Sequence, residues 1–256
     1  LRSVLLTPSP RLSRASFLLG IEEILGDVRF LWTPQPGDAA TSVDDSPTRR
    51  VITWDASVAA RITAQGHGYI QTNTSAGSQY GTTPDTADLS FNTAGLLDLP
   101  FSIFSLANVT DTAVLRALTT KFAAANNEYI FGVSAAADLL FLNIYDNSVP
   151  VATARTSNAA ITQGALHLFV GTYDGRGGAT AGDGITLYQD RAVVASTATN
   201  QVTYVAMENL ASPLEIGSSS SHTVQFFDGS KGMDGIVAGV LSAGQIAAMC
   251  DRINTF

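Results

Sequence analysis

Carboxylates are the first residues to inspect, because a pair about 5–5.5 Å apart can cleave a glycosidic bond, one attacking and the other donating a proton. The chain has five glutamates: Glu22, Glu23, Glu128, Glu208 and Glu215. None has a second acid two residues away on what would be the same strand face, so no catalytic residue is assigned and hydrolase or lyase chemistry is not expected. His67, His167 and His222 stand far apart, without a second histidine or a glutamate at metal-ligand spacing. The glycine-rich stretch 175–184 lacks the Lys-Ser/Thr of a phosphate loop and precedes a strand pattern, which makes it a hairpin loop. No Gly-x-Ser-x-Gly elbow exists. The single cysteine, Cys250, excludes an internal disulfide framework. Aromatic rings are the remaining chemistry, since sugar C–H faces stack on them. Tyr80, Tyr145, Tyr188 and Tyr204 stand nearest the expected loops and strand ends and are the candidate glycan platforms. The plainer use of the same rings is half-buried packing with a wet hydroxyl. Asn73-Thr74-Ser75 and Asn108-Val109-Thr110 match glycosylation acceptors.

The elements that must position these groups are strands. Only 14% of residues are charged, against about a quarter in an average soluble domain. Five Glu and two Lys are too few to coat long solvent-facing helices, which excludes a helical bundle. Short β-branched or aromatic runs recur instead: Val51–Trp54, Gly68–Thr72, Phe101–Leu106, Glu128–Val133, Leu139–Tyr145, Leu166–Tyr173, Gly184–Gln189, Leu214–Ile216 and Gly232–Leu241. Polar turn clusters separate them, which predicts a sandwich and not βαβ units. In Leu166–Tyr173 both alternating faces are largely apolar, as a central strand covered on both sides requires. Near the end, Ser242-x-x-Gln245 forms a capping box, followed by Ile246, Met249, Cys250 and Ile253 on one helical stripe. Cys250 is therefore a packing residue. No run of 18 apolar residues is present, so no spanning helix is expected.

Residues 1–50 read differently from 51–256. The first part carries six Arg and six acids, and the whole net charge of −8 falls on the second. Phe17, Leu18, Ile21, Ile24 and Leu25 recur at near-helical spacing. Pro34, Pro36 and Gly37 then break the pattern before a polar linker. This predicts an N-terminal arm (1–50) with one short helix, joined to a single domain (51–256). The expected interface residues of the arm are Arg2, Arg11 and Arg14 with Phe17, Ile21 and Ile24. The acidic body argues against nucleic acid as a partner. No hydrophobic run with a small-residue cleavage site opens the chain, so no signal peptide is expected.

The last ninety residues carry a resemblance. His167-Leu168-Phe169-Val170-Gly171-Thr172-Tyr173-Asp174-Gly175 is followed by Ile185-Thr186-Leu187-Tyr188-Gln189-Asp190, then Leu214-Glu215-Ile216-Gly217, then Phe226-Phe227-Asp228-Gly229, and finally Met233 to Ile246. This order resembles the LamG-like branch of the concanavalin A-like lectin/glucanase superfamily. The resemblance implies an all-β, two-sheet antiparallel jelly roll, and in some members one calcium ion between loops at the sandwich rim. Here Asp146, Asp174, Asp183 and Asp228 are loop acids with oxygens a hard cation would accept. Turn capping is their plainer use. Gln189-Asp190 departs from the family's Asn-Gly hairpin pair, which puts that turn's geometry in question.

Two functions follow as expectations, both without catalysis. In the first, the module is a structural component of a surface assembly, such as a virion decoration or cement protein, with the arm binding a second copy or a larger shell. In the alternative it is an extracellular carbohydrate-binding module. Virion and extracellular surface are the corresponding locations.

Overall fold

A computed structural model describes residues 14–36, 38, 40–55, 62–65, 68–93, 97–110, 113–135, 137–221 and 223–254. Its strands are β1 (Val28–Trp32), β2 (Thr41–Val43), β3 (Val51–Trp54), β4 (Ile62–Gln65), β5 (Gly68–Asn73), β6 (Gly81–Thr83), β7 (Phe101–Val109), β8 (Arg116–Ala123), β9 (Asn126–Val133), β10 (Leu139–Asp146), β11 (Val151–Ala160), β12 (His167–Tyr173), β13 (Ile185–Gln189), β14 (Ala192–Val193), β15 (Ser196–Thr199), β16 (Leu214–Ile216) and β17 (Gly229–Ala238). Two α-helices, α1 (Arg14–Leu25) and α2 (Ala243–Asn254), stand at the two ends of this order.

The strands form two antiparallel sheets. One runs β14-β13-β12-β7-β17-β5-β4, with β1 also paired to β17; the other runs β15-β11-β10-β9-β8-β16-β6-β3-β2. The fold is thus the all-β, two-sheet antiparallel sandwich that the strand spacing predicts, with a short C-terminal helix. Alternation along β7 shows how one strand serves two layers. Phe101, Ile103, Ala107 and Val109 face the main core between the sheets, whereas Phe104 and Leu106 face outward into a second apolar layer. Strand β12 divides likewise: Phe169 and Tyr173 point inward, Leu168 and Val170 outward. Trp32 and Trp54, from different sheets, meet with ring centroids 4.7 Å apart and tie the layers together.

The outward layer is covered by the helices. Phe17, Ile21 and Leu25 recur every four residues along α1, and Ile246, Met249 and Cys250 line α2. Both stripes pack on Phe104, Val170, Met233 and Val237 of the eight-stranded sheet. The capping box is formed: Ser242 Oγ accepts the Gln245 N–H at 3.2 Å, and Gln245 Oε1 accepts the Ser242 N–H at 3.0 Å. Gln245 Nε2 also donates to the Ile24 carbonyl at 2.7 Å, linking the two helices.

The arm is corrected by this arrangement. Strand β1 pairs with β17 (Leu31 opposite Gly235, Trp32 opposite Asp234) and β2 pairs with β3. From residue 14 onward the segment is therefore woven into the sandwich. Phe17, Ile21, Leu25, Val28 and Leu31 are buried in the chain's own second layer, with Leu18 and Ile24 packed against it, so this described part of the apolar stripe is covered from within.

Candidate functional site

The four candidate cation ligands are held by local bonds. Asp146 accepts from the Ser148 hydroxyl (2.6 Å) and the Val205 N–H (2.9 Å). Asp174 pairs with Arg176 at 2.6 Å. Burial pushes the Asp174 carboxyl upward, but hydrogen bonds and charge from Arg176 hold it below its ordinary value. Asp183 accepts from Asn200 at 3.0 Å. Asp228 accepts from the Ser75 N–H (2.8 Å) and the Thr110 hydroxyl (2.8 Å), and these bonds outweigh its burial to lower its pKa. The bonds that occupy them are turn caps and loop pins. Among the described residues, no three His, Cys, Asp or Glu side chains are grouped as a metal ion would require.

The tyrosines separate into two pairs. Tyr204 is 2% exposed in the main core, its hydroxyl donating to Asp98 at 2.9 Å. Tyr188 is 8% exposed, in the layer under the helices. Neither ring can present a face to a sugar, which corrects two of the four candidates. Tyr80 and Tyr145 are half-buried and both stand in aromatic pairs: Tyr80 with Phe226 (6.4 Å between centroids), Tyr145 with Phe122 (5.1 Å).

These pairs belong to the outer side of the nine-stranded sheet. Directly opposed residues form a row across it: Thr53, Thr82, Glu215, Thr120, Ile130, Asn143 and Ala154. The middle of this row is buried although it faces away from the core. The cause is residues 217–221 and 223–226, which fold back over the sheet. Thr120 Oγ1 donates to the Ser218 carbonyl at 2.9 Å, and the Ser220 N–H donates to the Phe122 carbonyl at 2.9 Å. The Ala117 N–H donates to the Gln225 carbonyl at 2.9 Å. Beside it Phe122, Tyr145 and Asn143 stay half-open, with Asn143 Nδ2 3.4 Å from the Tyr145 hydroxyl. Burial raises the Tyr145 pKa, so the hydroxyl stays protonated. Asn127, paired across from Phe122, holds a buried Oδ1 without a hydrogen-bond partner. Rings beside amides can stack on C–H faces and bridge hydroxyls.

A second concavity of about 530 Å³ lies between the β12–β13 end and α2, lined by Leu106, Leu168, His167, Asp190, Arg191 and Cys250 among others. Asp190 organises it. At φ +55° it takes the left-handed position of the hairpin, so the turn forms without Asn-Gly. Its carboxylate accepts the Leu168 N–H (3.0 Å) and lies 2.8 Å from His167 Nδ1. Burial raises the Cys250 thiol pKa there, as expected for a packing cysteine.

Of the expected interface residues, Phe17 and Ile21 are buried within the chain and Ile24 is packed against the same layer, which corrects their assignment to an outer partner. Arg2, Arg11, His67 and His222 lie outside the described residues, and of Arg14 only the helical backbone is described. Asn73 is 1% exposed, so the first glycosylation match is closed. Glu128 and Glu215 are wholly buried, the first held by Lys121 and the Leu210 N–H, the second by the Ser218 hydroxyl. Two clusters carried no motif: the Lys121 site, and Asp98, which accepts from Tyr173, Tyr204 and the Met207 N–H. Their one legible trace is Lys121 itself, one of two lysines in the chain.

No family model matches the chain, and no curated protein does. Solved structures do match, by fold. The binding domain of Paraclostridial Mosquitocidal Protein 1 aligns at TM-score 0.63 and 11% identity, over 90% of this chain and 53% of that one. A structure of botulinum neurotoxin type C, whose cell entry depends on interaction with two ganglioside molecules, aligns at 0.62 and 10%, over 90% and 52%. Domain 4 of AbnA, a GH43 extracellular arabinanase from Geobacillus stearothermophilus, in complex with arabinotriose, aligns at 0.59 and 10%, over 88% and 98%. The chain thus spans about half the length of the toxin chains and nearly all of the arabinanase domain. At these identities the likeness establishes the two-sheet β-sandwich fold and nothing finer; the LamG-like branch rests on the sequence motifs alone.

Proposed function

We propose that the chain is a non-catalytic carbohydrate-binding module that meets its glycan on the outer side of the nine-stranded sheet. The observation that carries this is the half-open pair Phe122 and Tyr145 beside Asn143, next to the middle of a sheet side that residues 217–221 and 223–226 cover. Structures of the same fold include an arabinotriose complex and a ganglioside-dependent toxin, which supports this reading over a virion assembly role. The assembly role drew part of its support from the apolar groups of the arm. Those of α1 at Phe17, Ile21 and Leu25 are covered by the chain's own helix α2 and eight-stranded sheet.

Titration calorimetry with arabinotriose and with ganglioside headgroup oligosaccharides tests the proposal. Losing one stacking ring removes about 0.5–1.5 kcal/mol beyond its buried area. Tyr145→Ala should therefore weaken binding roughly tenfold or more, with an unchanged circular dichroism spectrum. Glycan binding equal in wild type and Tyr145→Ala would move the site elsewhere. No heat with any oligosaccharide of a broad panel would sink the module reading.

A further inference from the structure

Lys121, on β8, has a wholly buried side chain. Its Nζ lies 2.7 Å from Asp85 Oδ1, is bonded to Glu128 Oε1, and donates to the Leu210 carbonyl at 3.0 Å. The two carboxylates come from different places, the loop after β6 and strand β9. Glu128 is 1% exposed at its side chain, and its Oε2 has no hydrogen-bond partner. An amine wedged between one carboxyl that can acylate it and a second that can carry protons is a condensation site. We propose that Lys121 and Asp85 join in an intramolecular amide, with Glu128 relaying the protons.

The step balances without a co-reactant. The Lys121 ammonium gives one proton to Glu128, and the freed nitrogen lone pair attacks Asp85 Cγ. Glu128 returns that proton to an Asp85 oxygen. The C–O bond of the resulting intermediate breaks as the nitrogen gives up its second proton, and one water leaves. One ammonium and one carboxylate thus become one neutral amide and one water. Three features of the site favour this. Groups held in contact react at effective concentrations of roughly 10⁵–10⁸ M, which offsets the ordinary preference for hydrolysis in water. Lys121 and Glu128 are shielded from water, whereas the Asp85 side chain is 32% exposed and gives the released water an exit. Burial raises the Glu128 carboxyl to about 7, so near neutral pH it both takes and returns a proton.

The other lysine is an internal comparison. Lys231 Nζ lies 2.7 Å from Asp234, equally buried, but its further partners are the Ser105 hydroxyl and the Leu118 carbonyl. With no second carboxylate among those partners, no link is expected there.

Mass spectrometry of the unfolded full chain, after incubation of the folded protein at neutral pH, decides the matter. The wild type should be lighter than its sequence by one water. Trypsin should fail to cut after Lys121 and should release peptide 62–116 joined to peptide 117–155. Lys121→Arg, Asp85→Ala and Glu128→Gln should each keep the full mass. A wild type at full mass overturns the proposal whatever the variants do. So does a water lost at an Asp-Gly pair (174–175, 183–184, 228–229 or 234–235), where cyclisation also dehydrates the chain. A link that forms equally fast in Glu128→Gln overturns the relay.

Discussion

At the scale of single residues, the buried carboxyls set how stability answers to pH. Glu128 has an ordinary value of 4.5 and is raised to about 7, chiefly by burial, with Lys121 pulling the other way. The folded state therefore holds this proton more tightly than the unfolded state across that interval. Its stabilising contribution is complete below 4.5 and is lost as pH rises through about 7. If Lys121 becomes an amide, the downward pull of its charge disappears, so the direction is unchanged. Unfolding midpoints in denaturant, measured between about pH 5 and pH 8, should fall more steeply for wild type than for Glu128→Gln. Parallel slopes would mean that Glu128 is not titrating in the folded state. The residue types of this cluster were visible in the sequence. Their convergence was not, because Asp85 and Lys121 lie on separate elements and no spacing rule connects them.

At the scale of elements, legibility followed the local forces. The capping box at Ser242 was readable because its bonds span three residues, and the hydrogen bonds are those the pattern requires. Removing the cap with Ser242→Ala should cost about 1 kcal/mol in denaturant unfolding; a loss near zero would show that tertiary packing alone holds α2 in place. Strands rich in Val, Ile and Phe were equally readable. Strands β8 (Arg-Ala-Leu-Thr-Thr-Lys-Phe-Ala) and β11 (Val-Ala-Thr-Ala-Arg-Thr-Ser-Asn-Ala-Ala) were not. The first carries buried Thr119, Thr120 and Lys121, whose polar groups find partners on Asp234, Ser218 and Leu210, all distant along the chain. The second is small and polar along its length, and its place in the sheet comes from pairing with β10 and β15.

At the scale of the whole molecule, the N-terminal segment is structural. It supplies strand β1, Trp32 of the main core, and the α1 stripe that shares a layer with α2. A chain truncated to begin at Asp38 should unfold at a markedly lower denaturant concentration, since Phe17, Ile21, Leu25, Val28 and Leu31 each contribute about 1.5–3 kcal/mol on burial. Light scattering on the intact chain and thermal unfolding of both chains check this. An unchanged unfolding midpoint would restore the free arm.

The sequence by itself determined the two-sheet sandwich, the helix at its end and the packing role of Cys250. Each rests on a period of two or about four residues that selects a buried face. It also predicted the buried ring at Phe169, whereas the left-handed Asp190 of the hairpin after β13 came only with the structure. Only the tertiary structure decided which apolar faces meet. The same stripe of Phe17, Ile21 and Leu25 would suit a partner or the chain's own second layer, and burial energy does not distinguish them until both surfaces have positions. For the same reason Tyr145 and Tyr204 are equivalent in sequence. One stays half-open on the sheet exterior and the other is sealed against Asp98, because the loops that converge there are distant along the chain.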